Sequence, residues 1–250
     1  MEFTVNISID RKELPFDYRR NIISLIKKGL TEFCEGAFFN LYYGGTKQKP
    51  FCFAARFHDP VFENERIVLE TSNFELIVSA EDEKTFLILF QSFVDIINKP
   101  LPIPEKNSLI VKSINKRQRA NIKKENVAAF DLLSPLCIRL HNRETNRDEY
   151  ISVKDSRFTD EFKINLKNQL KNNYAHLVDE VDSLLIDTSY CKKTVVFHYG
   201  QWIECTIGKI FLQGSPELLQ TINLIKLGSR KSAGFGFIKL IHAWETKNDN

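Results

Sequence analysis

Apolar and polar residues alternate over residues 3–9, the period of a half-buried strand. The pattern then changes, and over residues 16–30 Ile22, Ile26 and Leu30 recur on one helical face. After a loop, residues 51–57 and 74–80 read as strands, with 66–70 between them as a continuation. Glu81-Asp82-Glu83 supply the acids that favour a helix N-terminus, and Phe86, Phe90, Phe93 and Ile97 mark the buried side of that helix. A strand over residues 109–114 closes the series. The order is β-α-β-β-α-β, the split βαβ or ferredoxin-like arrangement.

A second round follows. Residues 130–140 form an apolar run broken by Ser134-Pro135, with 149–153 as its hairpin partner. Phe162, Leu166, Leu170 and Tyr174 recur every four residues and predict a helix over 158–177. Residues 194–199 and 203–212 form a hairpin around Gly200-Gln201, Pro216 opens a helix that runs to Leu227, and 235–244 is the last strand. The fold class is thus α+β, two tandem ferredoxin-like (βαββαβ) domains, expected over residues 1–124 and 125–250.

A length of 250 residues fits two domains, and 43% hydrophobic content with 12% aromatics suffices for two ordinary cores. The N-terminus does not read as a signal peptide and no apolar run is long enough to span a bilayer, so the expected location is the cytoplasm. Five cysteines, none in a C-x-x-C pair, suggest neither a disulfide framework nor a thiolate metal site. No metal or other cofactor is expected. The formal charge of +3 says little, but its distribution says more. Lys106, Lys112, Lys116, Arg117, Arg119, Lys123 and Lys124 fall in one stretch without an acidic residue, which marks the domain boundary and could track a phosphate backbone.

The stretch GSRKSAGFG, residues 228–236, lies between the last helix and the last strand. Phosphate loops of the Walker and Rossmann kinds run from a strand into a helix, so this loop is not one of them. Two readings stand open: a helix C-cap at Gly228 followed by an ordinary turn, or an anion-binding loop. In the second, backbone NH groups, Arg230 and Lys231 meet phosphates while Gly234 and Gly236 permit close approach.

The loop GSRKSAGFGFIKL, with the Leu133-Ser134-Pro135-Leu136 element that opens the second round and Leu14-Pro15 ahead of the first helix, resembles the CRISPR-associated repeat-processing endoribonucleases of the RAMP superfamily. The resemblance runs along the whole chain, although only the C-terminal loop is specific. It implies two ferredoxin-like domains and metal-independent cleavage of precursor CRISPR RNA within each repeat. In that reaction a ribose 2′-OH attacks the adjacent phosphate, giving a 2′,3′-cyclic phosphate and a 5′-OH. The family also implies a catalytic histidine in the loop after the first helix, helped by a lysine and a helix tyrosine.

This sequence departs from that pattern, since residues 31–50 contain no histidine. Tyr42 and Tyr43 stand where it is expected, Lys47 and Lys49 where the family's lysine falls, and Lys27 near the helix tyrosine's place. Proton transfer by Tyr43 or Tyr42 requires those cations to lower the pKa of a phenol that ordinarily titrates near 10. The alternative is a catalytically inactive subunit that binds repeat RNA. Expected RNA contacts are Gly228, Ser229, Arg230, Lys231, Ser232, Gly234 and Gly236 of the loop, Lys116, Arg117, Arg119, Lys123 and Lys124 of the basic stretch, and Arg20, which shares a helix face with Lys27. His198 and His242, on predicted strands, and His58, in a turn, read as structural or surface histidines. A CRISPR effector complex and a second copy of the chain stay open as further partners.

Overall fold

The computed structural model describes residues 1–246 except Thr46, Asn64, Arg143, Thr145 and Asn146; residues 247–250 of the expected second domain also lie outside the described residues. The chain forms two compact units. The first comprises Met1–Arg119 together with Phe197–Gln201 and Ser232–Gly234, and the second comprises Ala120–Val196, Trp202–Lys231 and the chain from Phe235 onward.

In the first unit β1 (Glu2–Ile9), β3 (Phe51–Arg56), β6 (Asn73–Ala80), β7 (Leu101–Ile103) and β8 (Asn107–Arg117) form one sheet in the order β3-β6-β1-β8-β7. Neighbours are antiparallel throughout. The order is that of a βαββαβ unit, with α1 (Tyr18–Glu32) and α3 (Glu83–Val94) as its helices. Alternation in β1 buries Phe3, Val5, Ile7 and Ile9. The Phe3 ring meets Phe86, Phe90 and Phe93 edge-on with centroids 5.5–5.9 Å away, which ties the central strand to α3. Asp82 caps α3 by accepting from the Thr85 amide at 2.7 Å. A Cβ on Gly29 would stand 2.7 Å from the Ser92 carbonyl oxygen, so only glycine lets α1 approach α3 this closely.

The stretch expected to continue the sheet at 66–70 does not do so. β5 (Arg66–Val68) joins β2 (Glu13–Pro15) and β4 (Val61–Glu63) in a separate three-stranded sheet, where Arg66 pairs with Glu13 at 3.0 Å. Helix α3 also stops before Ile97, which instead makes a bridge to Val111.

The second unit repeats the plan. β9 (Val127–Leu132), β12 (Leu185–His198), β13 (Gln201–Gln213) and β14 (Ile238–Trp244) give the order β12-β13-β9-β14, with α4 (Phe158–Leu170) and α5 (Pro216–Ile225) as the helices. The hairpin of β10 (Ile138–Asn142) and β11 (Arg147–Ile151) is inserted between β9 and α4. Ser215 caps α5 through the Leu218 amide, and Pro216 takes the first turn, where its missing N–H costs nothing.

Several boundaries differ from the periodicity: the 130–140 run divides into β9 and β10, and α5 ends at Ile225 and not at Leu227. Helix α4 ends at Leu170, because Asn172-Asn173 are weak helix formers and Tyr174 leaves helical geometry at φ −138°. Strand β12 begins well before residue 194, as an exposed edge strand whose Asp, Thr, Ser and Lys residues carry no apolar alternation. Strand β14 begins only at Ile238, because Gly236 has φ 68° and cannot belong to a strand. Among the described residues no helix is long and apolar enough to cross a membrane.

Candidate active site

After α1 the chain reverses through three consecutive left-handed residues, Cys34, Glu35 and Gly36, at φ 48°, 54° and 80°. It then makes one turn of helix, α2 (Phe39–Tyr43). This turn sends two adjacent tyrosines in different directions. Tyr42 enters the core of the first unit, only 3% exposed, with its hydroxyl donating to Thr85 Oγ1 at 3.3 Å. Tyr43 is only partly buried, and two lysines lie against its ring. Lys27 Nζ, from the solvent side of α1, is 4.9 Å from the ring centroid, and Lys49 Nζ, from the segment entering β3, is 5.0 Å away. Lys47 is exposed in the bend between Tyr43 and Lys49. Tyr43, Lys27 and Lys49 thus come together from three segments, while Tyr42 and Lys47 stand apart.

The electrostatics of this cluster differ from expectation in one respect. Burial raises the Tyr43 phenol well above its ordinary value, and the nearby Tyr199 phenol adds to the effect, so the lysines do not lower it. The ammonium groups face the ring, whose negative π-face attracts them, and do not pair with the oxygen. The Tyr43 hydroxyl is buried and has no hydrogen-bond partner among the described residues. Lys49 moves the other way: burial first, and then the charge of Lys27, lower its pKa. The site therefore holds a neutral phenol that keeps its proton more tightly than usual, an amine that loses its proton more readily than usual, and a second cation.

The same unit holds a group that periodicity did not reveal. Asp17 stands at the N-cap of α1 but makes no cap hydrogen bond. Its Oδ1 is 2.8 Å from His198 Nδ1, and its Oδ2 accepts from the Tyr199 amide at 2.8 Å. Arg20, one turn along α1, places its guanidinium 5.0 Å from the Tyr199 ring centroid. His198 is buried, as its structural reading required, whereas His58 is exposed in the bend after β3 and His242 is exposed beside Trp244. No short-range signal links Asp17 to residues 181 and 182 positions away.

The glycine-rich loop is shaped by the protein's own atoms. In the second unit, a Cβ on Gly228 would meet Leu136 Cδ1 at 2.6 Å, and one on Gly236 would meet the Leu227 carbonyl oxygen at 1.7 Å. In the first unit, one on Gly234 would meet Phe53 at 2.5 Å. The Ser229 amide donates to the Cys137 carbonyl at 2.7 Å, and its hydroxyl accepts from Asn165. The Leu-Ser-Pro element holds the far end: Leu133 N donates to the Phe237 carbonyl, Phe237 N to Ser134 Oγ and Gly236 N to the Pro135 carbonyl, each at 2.9 Å. Lys231 is buried, and its ammonium donates to the Ile225 carbonyl at the C-terminus of α5, where cations are favoured. Arg230 is partly exposed, beside the Tyr150 hydroxyl and 3.6 Å from Asp148, and Ser232 is partly buried in the first unit.

The basic stretch divides in a similar way. Arg119 donates to Glu2 at 3.1 Å and to Ser79 Oγ at 2.7 Å, and Arg117, opposite Glu2 in the β1–β8 register, is 3.8 Å from the same carboxylate. Lys124 pairs with Glu245 at 3.0 Å on the surface, whereas Lys116 and Lys123 are exposed. Among the described residues, no group of three or more His, Cys, Asp or Glu side chains is placed to hold a metal ion.

A family model described as "CRISPR associated protein Cas6, C-terminal" matches residues 115–240. Among solved structures, one described as "An RAMP protein binding different RNA substrates" is similar at a TM-score of 0.82 and 18% identity, over 97% of this chain and 100% of its own. A Cas6-related protein of Pyrococcus furiosus is similar at a TM-score of 0.82 and 18% identity, over 97% of this chain and 98% of its own. A Cas6 product complex is similar at a TM-score of 0.71 and 14% identity, over 96% and 100%. At these identities the likeness is one of fold, the tandem ferredoxin-like arrangement. No curated protein matches the sequence.

Proposed function

Because the chain belongs to the Cas6 family of CRISPR-associated proteins, we propose that it binds the repeats of precursor CRISPR RNA and cleaves within them by attack of a ribose 2′-OH on the adjacent phosphate. The observation that carries this reading is the convergence of Tyr43, Lys27 and Lys49 in one unit. Lys49, the amine whose proton is more easily lost, takes the proton of the 2′-OH. The 2′ oxygen bonds to phosphorus, the bond to the 5′ oxygen breaks, and the Tyr43 hydroxyl, uncovered as the RNA binds, gives its phenolic proton to that oxygen. Exchange with water restores both groups. Such proton transfers contribute about 10²–10⁴-fold, and the Lys27 ammonium offsets the charge that builds on the phosphorane. Exposed Lys116, Lys123 and Arg20, with partly exposed Arg230, supply phosphate contacts along the strand.

A 2′-deoxy substitution just upstream of the cut is expected to abolish cleavage with affinity nearly unchanged. Because the nucleophile belongs to the RNA, cleavage is expected to continue in excess EDTA. Retained cutting of the deoxy substrate would mean that water attacks instead. Tight binding of an unmodified repeat that is never cut would make the protein a repeat-binding subunit.

A further inference from the structure

Tyr199 is held at the tip of the β12–β13 hairpin at some local cost. With φ 50° it occupies the left-handed region, next to Gly200 at φ 75°, in a turn where Asn or Asp is the usual residue and a large aromatic is uncommon. The Asp17 carboxylate holds this tip with both oxygens and leaves the N-terminus of α1 without its side-chain cap. Burial of the ring does not repay these costs, since Tyr199 is 52% exposed. Backbone strain maintained by such a brace to present an exposed aromatic side chain is a mark of function.

The surroundings indicate what the ring meets. Arg20 lies 5.0 Å from its centroid, and Lys27, on the same face of α1, lies 4.9 Å from the Tyr43 ring. Seven residues of helix separate the two cations by about 10 Å. Ring-and-cation pairs therefore repeat along this face, the combination with which single-stranded RNA is bound: bases stack on rings while cations follow the phosphates. We propose that Tyr199 is a nucleobase-stacking residue, which holds an unpaired base of the RNA next to the Tyr43 cluster, with Arg20 steadying the ring. The inference rests on the RNA-processing reading above and adds a recognition residue to it.

The test uses the full chain, fluorescently labelled repeat RNA from the host array and a twelve-nucleotide oligouridylate. Tyr199→Asn removes the ring and supplies a residue that favours the turn, so its melting temperature should equal or exceed that of wild type. Its affinity for both RNAs should fall about tenfold. Tyr199→Trp should keep affinity within about twofold, and Tyr199→Phe should match wild type, because the ring and not the hydroxyl acts. Equal affinity of the Asn variant and wild type would overturn the proposal, as would a loss in the Phe variant as large as that in the Asn variant. Oligouridylate binding that depends on Tyr199, without repeat binding, would uphold the stacking residue and remove the repeat-processing reading. Binding of neither RNA by wild type would remove both.

Discussion

Lys49→Ala is expected to slow single-turnover cleavage of repeat RNA about a hundredfold, equivalent to about 2.7 kcal/mol of barrier, with repeat affinity changed far less. Tyr43→Phe should slow it at least about tenfold. The tyrosine variant has a useful control within it. The Tyr43 hydroxyl is buried without a partner among the described residues, so its removal relieves an unsatisfied polar group and should leave stability unchanged or slightly raised. Lost activity in a protein at least as stable as wild type separates chemistry from packing. The pH profile gives the sign. The pKa of Lys49 is lowered by burial and then by Lys27, and as the base it works only when unprotonated. The rate should rise with pH and level off below the ordinary lysine value of about 10.4, and Lys49→Ala should abolish that rise. A rate that falls with pH over this range would make Lys49 a stabilising cation and not the base.

The largest structural effect is expected at Gly236. An alanine there would hold its Cβ 1.7 Å from the Leu227 carbonyl oxygen, at a φ of 68° that L-residues rarely adopt. The backbone cannot simply move aside, because the Gly236 amide donates to Pro135 and its carbonyl accepts from Leu227. Gly236→Ala should cost on the order of 3 kcal/mol or more in urea unfolding, or prevent recovery of folded protein. Gly45→Ala is the matched control, because a Cβ at Gly45 meets nothing within 4 Å. Equal stability of the two variants would refute this account of the loop.

Much of the fold could be read from periodicity, because apolar alternation in β1 and four-residue spacing in the helices reflect burial directly. The alternation failed for β12, which between Asp187 and Lys193 is mostly exposed and rich in polar residues. The candidate site was harder to read. Resemblance led to the loop containing Tyr43 and Lys49, but not to which of two adjacent tyrosines faces the core; that depends on the left-handed turn at Cys34–Gly36, for which only the glycine was visible. The acid-free stretch read as a uniform basic track, yet Arg119 is bound to Glu2, 117 residues earlier, and the β1–β8 pairing, which sets Glu2 opposite Arg117, brings the two within reach. Lys231 read as a phosphate contact, yet its ammonium caps α5 from inside. Charge seen along a sequence does not tell whether a distant partner has already neutralised it.

The brace on the hairpin tip also bears on how the protein is made. The first unit is completed by Phe197–Gln201 and Ser232–Gly234, segments that leave the ribosome long after residues 1–119. Until they arrive, Asp17 lacks His198 and the Tyr199 amide, Arg19 lacks the Gly234 carbonyl that it meets at 3.2 Å, and Phe53 lacks the backbone that packs on its ring. The N-terminal half of the nascent chain thus waits on the C-terminal half, and a fragment ending near residue 124 should melt at a lower temperature than the full chain and bind a hydrophobic dye that the full chain does not. A fragment that matched the full chain in both respects would show that the late segments add nothing to the stability of the first unit.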